Sequence, residues 1–183
     1  MLKESFYTRD SVTVAKELLG KKIVFNGKEA MIVETEAYTT NDPGSHAYKK
    51  MTPRNSVMFE KGGVLYVYFC YGMFNMLNIV TDKKDNPSAV LIRAVEPLNF
   101  EAKSNGPGLV TKALGITRDQ NKLSVTGSDF YLERYDTPNG IVQTTRIGLK
   151  EGAELQYRFY IKDNPFVSKI AVSEAHRGAK GDA

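Results

Sequence analysis

Hydrophobic and polar positions alternate most regularly over residues 63–81, the stretch richest in aromatic and β-branched side chains. This alternation at a period of two predicts one strand over residues 64–70 and a second over residues 74–80. Gly72 lies between them, so the two strands are predicted to form a hairpin with Tyr71 at its tip. A hairpin tip usually carries Asn, Asp or Gly. The tyrosine ring is therefore either a wedge that enters a partner or a side chain that packs beneath a neighbouring loop.

The rest of the pattern predicts a mixed set of helices and strands within one domain. A helix capped by Asp10 or Ser11 is expected to run to residue 19, where Gly20 ends it. A second helix is expected over residues 108–114. We place a single α+β (mixed α/β) domain over residues 1–170 and a peripheral polar tail over residues 171–183.

Further strands are predicted on both sides of the central hairpin. The dipeptide Asn26-Gly27 is a strong signal for a two-residue turn between the first two of them. The predicted strands cover residues 21–25, 28–38, 89–94, 130–135, 141–149 and 155–162.

The predicted strand over residues 28–38 begins apolar and ends polar. If it stays extended to its end, one face carries Ile32, Glu34, Glu36 and Tyr38, and the other carries Val33 and Ala37. Two glutamates at this spacing are usually solvated, and we expect that for Glu34. Glu36 lies at the exit of the strand, beside an aromatic residue and a polar loop, where a carboxylate can take a proton from water as a general base.

The long loop over residues 39–62 is rich in turn signals and basic residues. Loops of this length inside one domain are usually functional or mobile. A single loop histidine such as His46 is more often a surface or hydrogen-bonding residue than a catalyst. Lys49, Lys50 and Arg54 make the loop locally basic, and Arg54 after Pro53 either binds a phosphate or forms a simple turn.

Two polar residues are predicted to lie inside strands. Arg93 is surrounded by aliphatic residues and therefore requires an anionic or carbonyl partner. Asn78 lies between Leu77 and Ile79, so its amide must find hydrogen-bond partners if it is buried.

Composition excludes several classes of protein. The 183 residues, of which 42% are hydrophobic, are enough for one large domain with a core. No apolar run reaches the roughly 18 residues of a membrane span, and the N-terminus lacks an apolar signal segment, so we expect an intracellular protein. The single cysteine, Cys70, and two histidines rule out a disulfide framework and a zinc cluster of soft ligands. A net charge of +4 and a pI of about 9.0 favour polyanionic partners such as nucleic acid.

Several sequence blocks, in order and with compatible spacing, resemble the alkyladenine (3-methyladenine) DNA glycosylase family. These blocks are VETEAY at residues 33–38, His46, TPRN at 52–55, Met58-Phe59, YVYFCYGM at 66–73, Asn78, AVLIRAVEPL at 89–98, Gly106-Pro107 and RFYIKDNPFVS at 158–168. The resemblance implies a single domain around a curved antiparallel β-sheet, with peripheral helices and a hairpin that protrudes into the DNA minor groove.

The same resemblance implies a monofunctional enzyme that needs no metal or cofactor. It would flip damaged purines (the 3-methyladenine, 7-methylguanine, hypoxanthine and ethenoadenine class) out of duplex DNA and hydrolyse the N-glycosidic bond, which starts base excision repair. We expect a monomer that binds double-stranded DNA containing a damaged purine. We expect no interaction with a membrane. By the resemblance, Glu36 is the general base, and Arg93 and the Val167 carbonyl hold the attacking water. The base pocket is formed by Tyr38, His46, Tyr68 and Asn78. The DNA is contacted by Tyr71 and Met73, which intercalate, and by Lys49, Lys50 and Arg54, which bind its backbone.

Two other classes of function remain open from the residues alone. The chain could be a non-catalytic nucleic-acid-binding domain that uses the same basic surface and aromatic wedge. It could also bind a small molecule, since the sheet is similar to one appended to formyl-transfer enzymes. A base-release assay distinguishes a non-catalytic nucleic-acid binder from an enzyme. Affinity for duplex DNA that is absent or insensitive to salt would favour the small-molecule-binding domain.

Overall fold

The computed structural model describes residues 1–70 and 72–169. Within them lie three α-helices, two short 3₁₀ helices and eight strands. The helices are α1 (Glu4–Tyr7), α2 (Ser11–Leu18) and α3 (Pro107–Leu114), with 3₁₀ turns at Ser56–Phe59 and Arg118–Gln120. The strands are β1 (Lys21–Phe25), β2 (Lys28–Tyr38), β3 (Leu65–Cys70), β4 (Phe74–Thr81), β5 (Ser88–Pro97), β6 (Phe130–Arg134), β7 (Ile141–Thr144) and β8 (Arg158–Ile161).

All eight described strands belong to one antiparallel sheet built around β2. The main order is β3-β4-β5-β2-β1-β6, and β8 pairs with β2 while β7 pairs with β8. One edge of β2 is therefore occupied by β5, and the other by β1 in its first half and β8 in its second half. The predicted α+β single-domain architecture around an antiparallel sheet is confirmed.

Local sequence signals fix the N-terminal part as predicted. The Asp10 carboxylate accepts the Thr13 N–H at 2.9 Å and caps α2. Asn26 and Gly27 both have positive φ, 49° and 75°, which the two-residue turn between β1 and β2 requires. These two features place β2 beneath α2 with its predicted bounds unchanged.

The main core lies between one face of the sheet and helices α2 and α3. Its members are buried aliphatic and aromatic side chains from the helices and from seven strands, all but β7, among them Val14, Leu18, Ile32, Leu77, Ile92, Val110 and Phe159. Burial of such side chains stabilises the fold by about 1.5–3 kcal/mol each. The candidate site lies on the opposite face of the sheet, where the 3₁₀ turn Ser56–Phe59 packs.

The predicted division of β2 into two faces is wrong. Ile32 and Ala37 pack in the main core, whereas Val33 packs in a separate cluster on the opposite face. The pairing of β2 with β5 is irregular here: Ile32 pairs with Val95, Glu34 with Ala94, and neither Val33 nor Arg93 has a direct partner. A β-bulge of this kind shifts the alternation by one residue, so Glu34, Glu36 and Tyr38 point away from the face of Ile32 while Ala37 returns to it.

The C-terminal strands are shorter than predicted. The strand expected over residues 141–149 ends at Thr144, and β8 begins only at Arg158. Gly148 and Gly152 have φ of 77° and 65°, so the chain between β7 and β8 cannot continue as an extended strand. The intervening segment is instead a loop, and it forms one wall of the candidate site.

The β3–β4 hairpin becomes exposed toward its end. Leu65 is fully buried, whereas Phe69 is 44% and Met73 is 68% exposed. The Met73 N–H donates to the Cys70 carbonyl at 3.1 Å across the turn. Tyr71 and the tail over residues 171–183 lie outside the described residues. Among the helices that are described, none is long and apolar enough to cross a membrane.

Candidate active site

A cavity of about 290 Å³ opens on the face of the sheet opposite the main core. This volume is at the lower end of the roughly 300–1,000 Å³ typical of small-molecule pockets. Strands β3, β4 and β5 form its base, and the loop after β2 and the loop after β7 form its sides. Its lining includes Tyr38, His46, Met58, Tyr66, Tyr68, Cys70, Asn78, Arg93, Ile147 and Leu149.

Glu36 lies behind this lining and is fully buried. Its Oε2 accepts a hydrogen bond from the Tyr38 hydroxyl at 2.9 Å, and its Oε1 accepts the Ile147 N–H at 2.9 Å. The Arg93 Nη1 lies 3.3 Å from the same Oε1. Each carboxylate oxygen has two acceptor sites, so these donors fix the group without exhausting its capacity to accept a proton.

Arg93 bridges two buried carboxylates. Its Nε lies 3.4 Å from Glu34 Oε1, while its Nη1 faces Glu36. The predicted need of Arg93 for an anionic partner is therefore confirmed. The pKa of Arg93 is raised: burial lowers it, but Glu36 and Glu34 together outweigh that effect. The Nε has no hydrogen-bond acceptor among the described residues, which leaves one buried donor beside the cavity.

Glu34 is fully buried, so the expectation that it is solvated is wrong. The Arg158 Nη1 donates to its Oε1 at 2.9 Å. The backbone N–H and the hydroxyl of Ser168 donate to its two oxygens at 2.7 and 2.8 Å. Because the bulge turns Glu34 away from the core face of β2, the carboxylate can tie the C-terminal segment to the site.

Aromatic rings form the outer wall of the cavity. His46 and Tyr68 meet edge to face with ring centroids 4.6 Å apart, and Tyr66 packs 5.3 Å from Tyr68. The His46 Nδ1 is 3.2 Å from the Tyr66 hydroxyl. Burial and the nearby Arg54 charge lower the pKa of His46, although much of the residue is exposed at the cavity mouth. The ring is therefore neutral at neutral pH.

The phenols of the site also stay neutral. Burial raises the pKa of Tyr66 to about 12 and the pKa of Tyr68 further. The pKa of Tyr38 is raised well above its ordinary value by burial and by Glu36. Neutral tyrosine rings present electron-rich faces, which attract cations and flat π systems.

Asn78 lies on β4 and is 3% exposed. Its Nδ2 donates to the carbonyls of Tyr66 at 3.1 Å and Met76 at 3.3 Å. The expectation that a buried amide here finds partners is confirmed. The amide also lines the cavity and is fixed in orientation by the two bonds.

The basic residues of the long loop occupy different positions. Lys49 and Lys50 are exposed and outside the cavity lining. Arg54 donates to the Phe69 carbonyl at 3.3 Å and lies 5.4 Å over the Tyr68 ring, so it contacts the hairpin. The buried Asn55 side chain holds the loop itself, with bonds to the Thr52 N–H and to the His46 carbonyl.

Val167 packs with Val33 and Ala94 on the same side of the sheet as the cavity. It is not among the residues that line the cavity, but it directly precedes Ser168, which binds Glu34. The role of its carbonyl as a water holder stays a prediction. The intercalating roles of Tyr71 and Met73 at the hairpin tip also stay predictions.

Sequence reasoning missed the residues that the chain brings in from far away. The loop after β7 contains Arg146, Ile147 and Leu149, and this segment was predicted to be part of a strand. Arg158 and Tyr66 lie inside blocks of the family resemblance, and a buried charge on a predicted strand was the available signal for Arg158. No group of three or more His, Cys, Asp or Glu side chains in the described part of the chain could hold a metal ion.

Comparison with known proteins gives a consistent result. The sequence model of the methylpurine-DNA glycosylase family matches residues 5–165. A Prosthecochloris aestuarii protein named as a candidate 3-methyladenine DNA glycosylase is 44% identical, and the match covers 91% of this chain and 90% of its own. A protein of the same name from Legionella pneumophila (strain Corby) is 44% identical over 92% and 98% of the two chains. A third from Ehrlichia chaffeensis is 40% identical over 93% and 98%.

These matches define the class of protein as a hydrolase of N-glycosyl bonds. The chain belongs to the methylpurine-DNA glycosylase family. Its substrate is therefore DNA, and it acts in base excision repair. The interpretations as a non-catalytic nucleic-acid binder and as a small-molecule-binding domain are set aside.

Proposed function

We propose that this DNA glycosylase flips damaged purines of the 3-methyladenine, 7-methylguanine, hypoxanthine and ethenoadenine class into the cavity and hydrolyses their glycosidic bond with a water activated by Glu36. The observation that carries the proposal is the buried Glu36 carboxylate, held by three donors directly behind a cavity with aromatic walls. A flat base fits such walls, and a fixed carboxylate behind them is suited to act on a single bound water.

The aromatic walls supply recognition. A methylated purine carries a positive charge, and a cation over a tyrosine face gains about 0.5–2 kcal/mol. Tyr38 and Tyr68 both line the cavity, and His46 adds a neutral ring that does not repel a cation. An undamaged purine lacks the charge and is bound less tightly by the same rings.

Chemistry then needs one base and one positioned water. Because Glu36 is fully covered, the water must reach it through the cavity, past Arg93 and Tyr38. The water oxygen attacks the sugar C1′ and its proton passes to Glu36, while the electrons of the broken C1′–N bond go to the purine nitrogen. We assign the role of orienting this water to Arg93, which lines the cavity and pairs with Glu36, and to the Val167 carbonyl.

The leaving base determines what else is required. A cationic alkylpurine departs as a neutral molecule, so one carboxylate suffices. Hypoxanthine would depart as an anion, and a hydrogen-bond donor at the base must stabilise it. His46 lies at the cavity mouth with Nδ1 near the Tyr66 hydroxyl, which leaves Nε2 for the base.

Asn78 is proposed to exclude guanine. Guanine carries a 2-amino group that adenine and hypoxanthine lack. The Asn78 Nδ2 is already committed to two carbonyls, so it cannot turn away to make room. A 2-amino group against this fixed amide leaves an unpaired donor or a steric clash, either of which disfavours binding.

The exposed end of the β3–β4 hairpin is proposed to enter the minor groove. Met73 is 68% exposed, and Tyr71 precedes it by two residues. A side chain that fills the gap left by a flipped nucleotide repays part of the few kcal/mol lost in unstacking. The loop after β2 contacts this hairpin through Arg54, and it also carries the exposed Lys49 and Lys50. We assign all three residues to contacts with the DNA backbone.

One chain is proposed to act alone and without a cofactor. The cavity, the carboxylate and the arginines all come from a single chain. Release of the base by water leaves an abasic site, and no step calls for a lysine nucleophile. Since its substrate is cellular DNA, we place the enzyme inside the cell.

The decisive experiment is base release from defined duplexes. Wild-type protein and Glu36→Gln are incubated with duplexes that carry 3-methyladenine, 7-methylguanine, hypoxanthine or ethenoadenine, and abasic sites are then cleaved with alkali. We expect strand cleavage with wild type only. If wild type releases none of the four bases, or if Glu36→Gln releases them at the wild-type rate, the proposal is wrong.

A further inference from the structure

A buried ion pair lies behind the cavity wall and outside the machinery described so far. Arg146 follows β7 and Asp42 lies in the loop after β2. Both side chains are fully buried. The Arg146 Nη1 donates to Asp42 Oδ2, and its Nη2 donates to Asp42 Oδ1 at 2.7 Å. We refer to this pair as the loop clamp, because it joins the two loops that form the sides of the cavity.

The clamp is held by backbone groups as well as by charge. The Arg146 Nη1 also donates to the Ala37 carbonyl at 3.1 Å, and Nη2 donates to the Gly152 carbonyl at 3.0 Å. The Asp42 Oδ1 accepts the Gly44 N–H at 2.9 Å. One planar guanidinium thus fixes the end of β2, the loop after β2 and the loop after β7 at the same point.

Two glycines permit this close approach of the loops. A Cβ on Gly44 would lie 2.9 Å from the Glu151 carbonyl oxygen and 3.1 Å from the Arg146 Nη2. A Cβ on Gly152 would lie 2.8 Å from Asp42 Oδ1, and Gly152 has a φ of 65°. Side chains at either position would push the clamp apart, so both loops are shaped around it.

The clamp touches the active site in two places. The Arg146 guanidinium lies 4.7 Å from the centroid of the Tyr38 ring, on the cavity wall. The residue after Arg146 is Ile147, whose N–H donates to Glu36. The clamp therefore fixes both the ring that binds Glu36 Oε2 and the backbone donor that binds Glu36 Oε1.

We propose that Asp42 and Arg146 are positioning residues that hold the Glu36 carboxylate and the Tyr38 ring in the reactive arrangement. The inference rests on the proposed role of Glu36 as general base. Neither clamp residue contacts the cavity, so both act through their neighbours. A small misplacement of the reacting groups can lower the rate by about 100-fold, and we expect an effect of that size without loss of DNA binding.

The test compares Arg146→Met, Asp42→Asn and the double variant with Lys22→Met as a matched control. Lys22 also pairs with two carboxylates, Glu29 and Glu133 at 2.9 Å each, but on β1 and away from the cavity. For each protein that is folded by circular dichroism, three quantities are measured. They are the single-turnover rate of hypoxanthine release, the affinity for a duplex with an abasic site, and the amide hydrogen exchange of Ile147.

In the clamp variants we expect a rate about 10- to 100-fold lower, with abasic-duplex affinity within about threefold of wild type. The Ile147 amide should exchange faster, and the double variant should be no slower than Arg146→Met, because the two residues act as one unit. Lys22→Met should change neither the rate nor the Ile147 exchange.

Several results would overturn the inference. A folded Arg146→Met or Asp42→Asn protein with the wild-type rate would do so, as would a loss of rate matched by Lys22→Met. Failure of all clamp variants to fold would make the pair a folding element instead. Ile147 exchange reports on the clamp even if wild type releases no base, so failure of the clamp and failure of the proposed function are distinguishable.

Discussion

Replacing Glu36 by glutamine is the sharpest perturbation that the site allows. The side chain keeps its size, and its carbonyl oxygen can still accept the Ile147 N–H. The amide nitrogen then faces the Tyr38 hydroxyl, whose oxygen can accept a bond in place of donating one. Arg93 loses one anionic neighbour 3.3 Å away but keeps Glu34 at 3.4 Å. The variant should therefore fold.

The magnitudes separate stability from catalysis. Weakening one charge-assisted contact to Arg93 costs about 1.5–3 kcal/mol of unfolding free energy. A general base contributes about 10²- to 10⁴-fold to a rate, and the carboxamide cannot take the proton from water. That loss corresponds to about 2.7–5.4 kcal/mol of activation free energy. The protein should remain folded, and release of every lesion should be nearly abolished.

The assay is single-turnover base release under enzyme excess, so that binding and product release do not limit the rate. Binding of the same lesion duplex should stay within about threefold of wild type, because Glu36 is not exposed to the DNA. If Glu36→Gln keeps more than about a tenth of the wild-type rate, the general-base assignment is refuted. If its DNA binding is lost together with its rate, Glu36 is a structural residue.

Four further outcomes are expected. Glu34→Gln removes the charge that binds Arg158, so it should lower the free energy of unfolding by about 3–5 kcal/mol in urea titrations, yet slow base release per folded molecule less than Glu36→Gln does; equal loss of rate in the two variants would contradict this. Asn78→Ser should raise release of 7-methylguanine relative to hypoxanthine, and an unchanged ratio would move guanine exclusion elsewhere. Tyr71→Ser should leave the thermal midpoint nearly unchanged but weaken lesion binding more than undamaged-DNA binding; a lower midpoint with normal lesion binding would make the ring part of the core. The His46 ring, followed by NMR, should titrate below its ordinary pKa of 6.5, and Arg54→Met should move the midpoint upward. Since the pKa is depressed, protonation below pH 6.5 opposes folding, and a midpoint above 6.5 would contradict the effect assigned to partial burial and to the Arg54 charge.

Much of the fold follows from short-range signals. The Asn26-Gly27 turn, the Asp10 cap and the period-two stretches gave the bounds of α2, β1 and β2 within one residue, because each depends on neighbours in sequence. Arg93 and Asn78 could also be interpreted correctly. A polar group among aliphatic residues requires partners wherever it lies, and both have them.

The remaining features depend on long-range contacts. The strand after Ile141 was predicted too long because Ile147 and Leu149 alternate with polar residues, although Gly148 and Arg146 direct the chain into a loop. The burial of Glu34 depends on Arg158 and Ser168, more than 120 residues away, which no local pattern can show. Contacts of this separation appear only once the sheet is assembled.

The bulge in β2 has a consequence for how the strand tolerates change. Upstream of it, Ile32 packs in the core, and downstream Glu36 lies behind the cavity wall, so the strand contributes to both and the change falls at Val33. Replacing the Val33 side chain by another apolar one preserves both roles. Adding or deleting a single residue between Ile32 and Glu36 would instead rotate the carboxylate into the helix-covered interior. Such a chain would lose its chemistry through a change of length by one, with every side chain of the site still present.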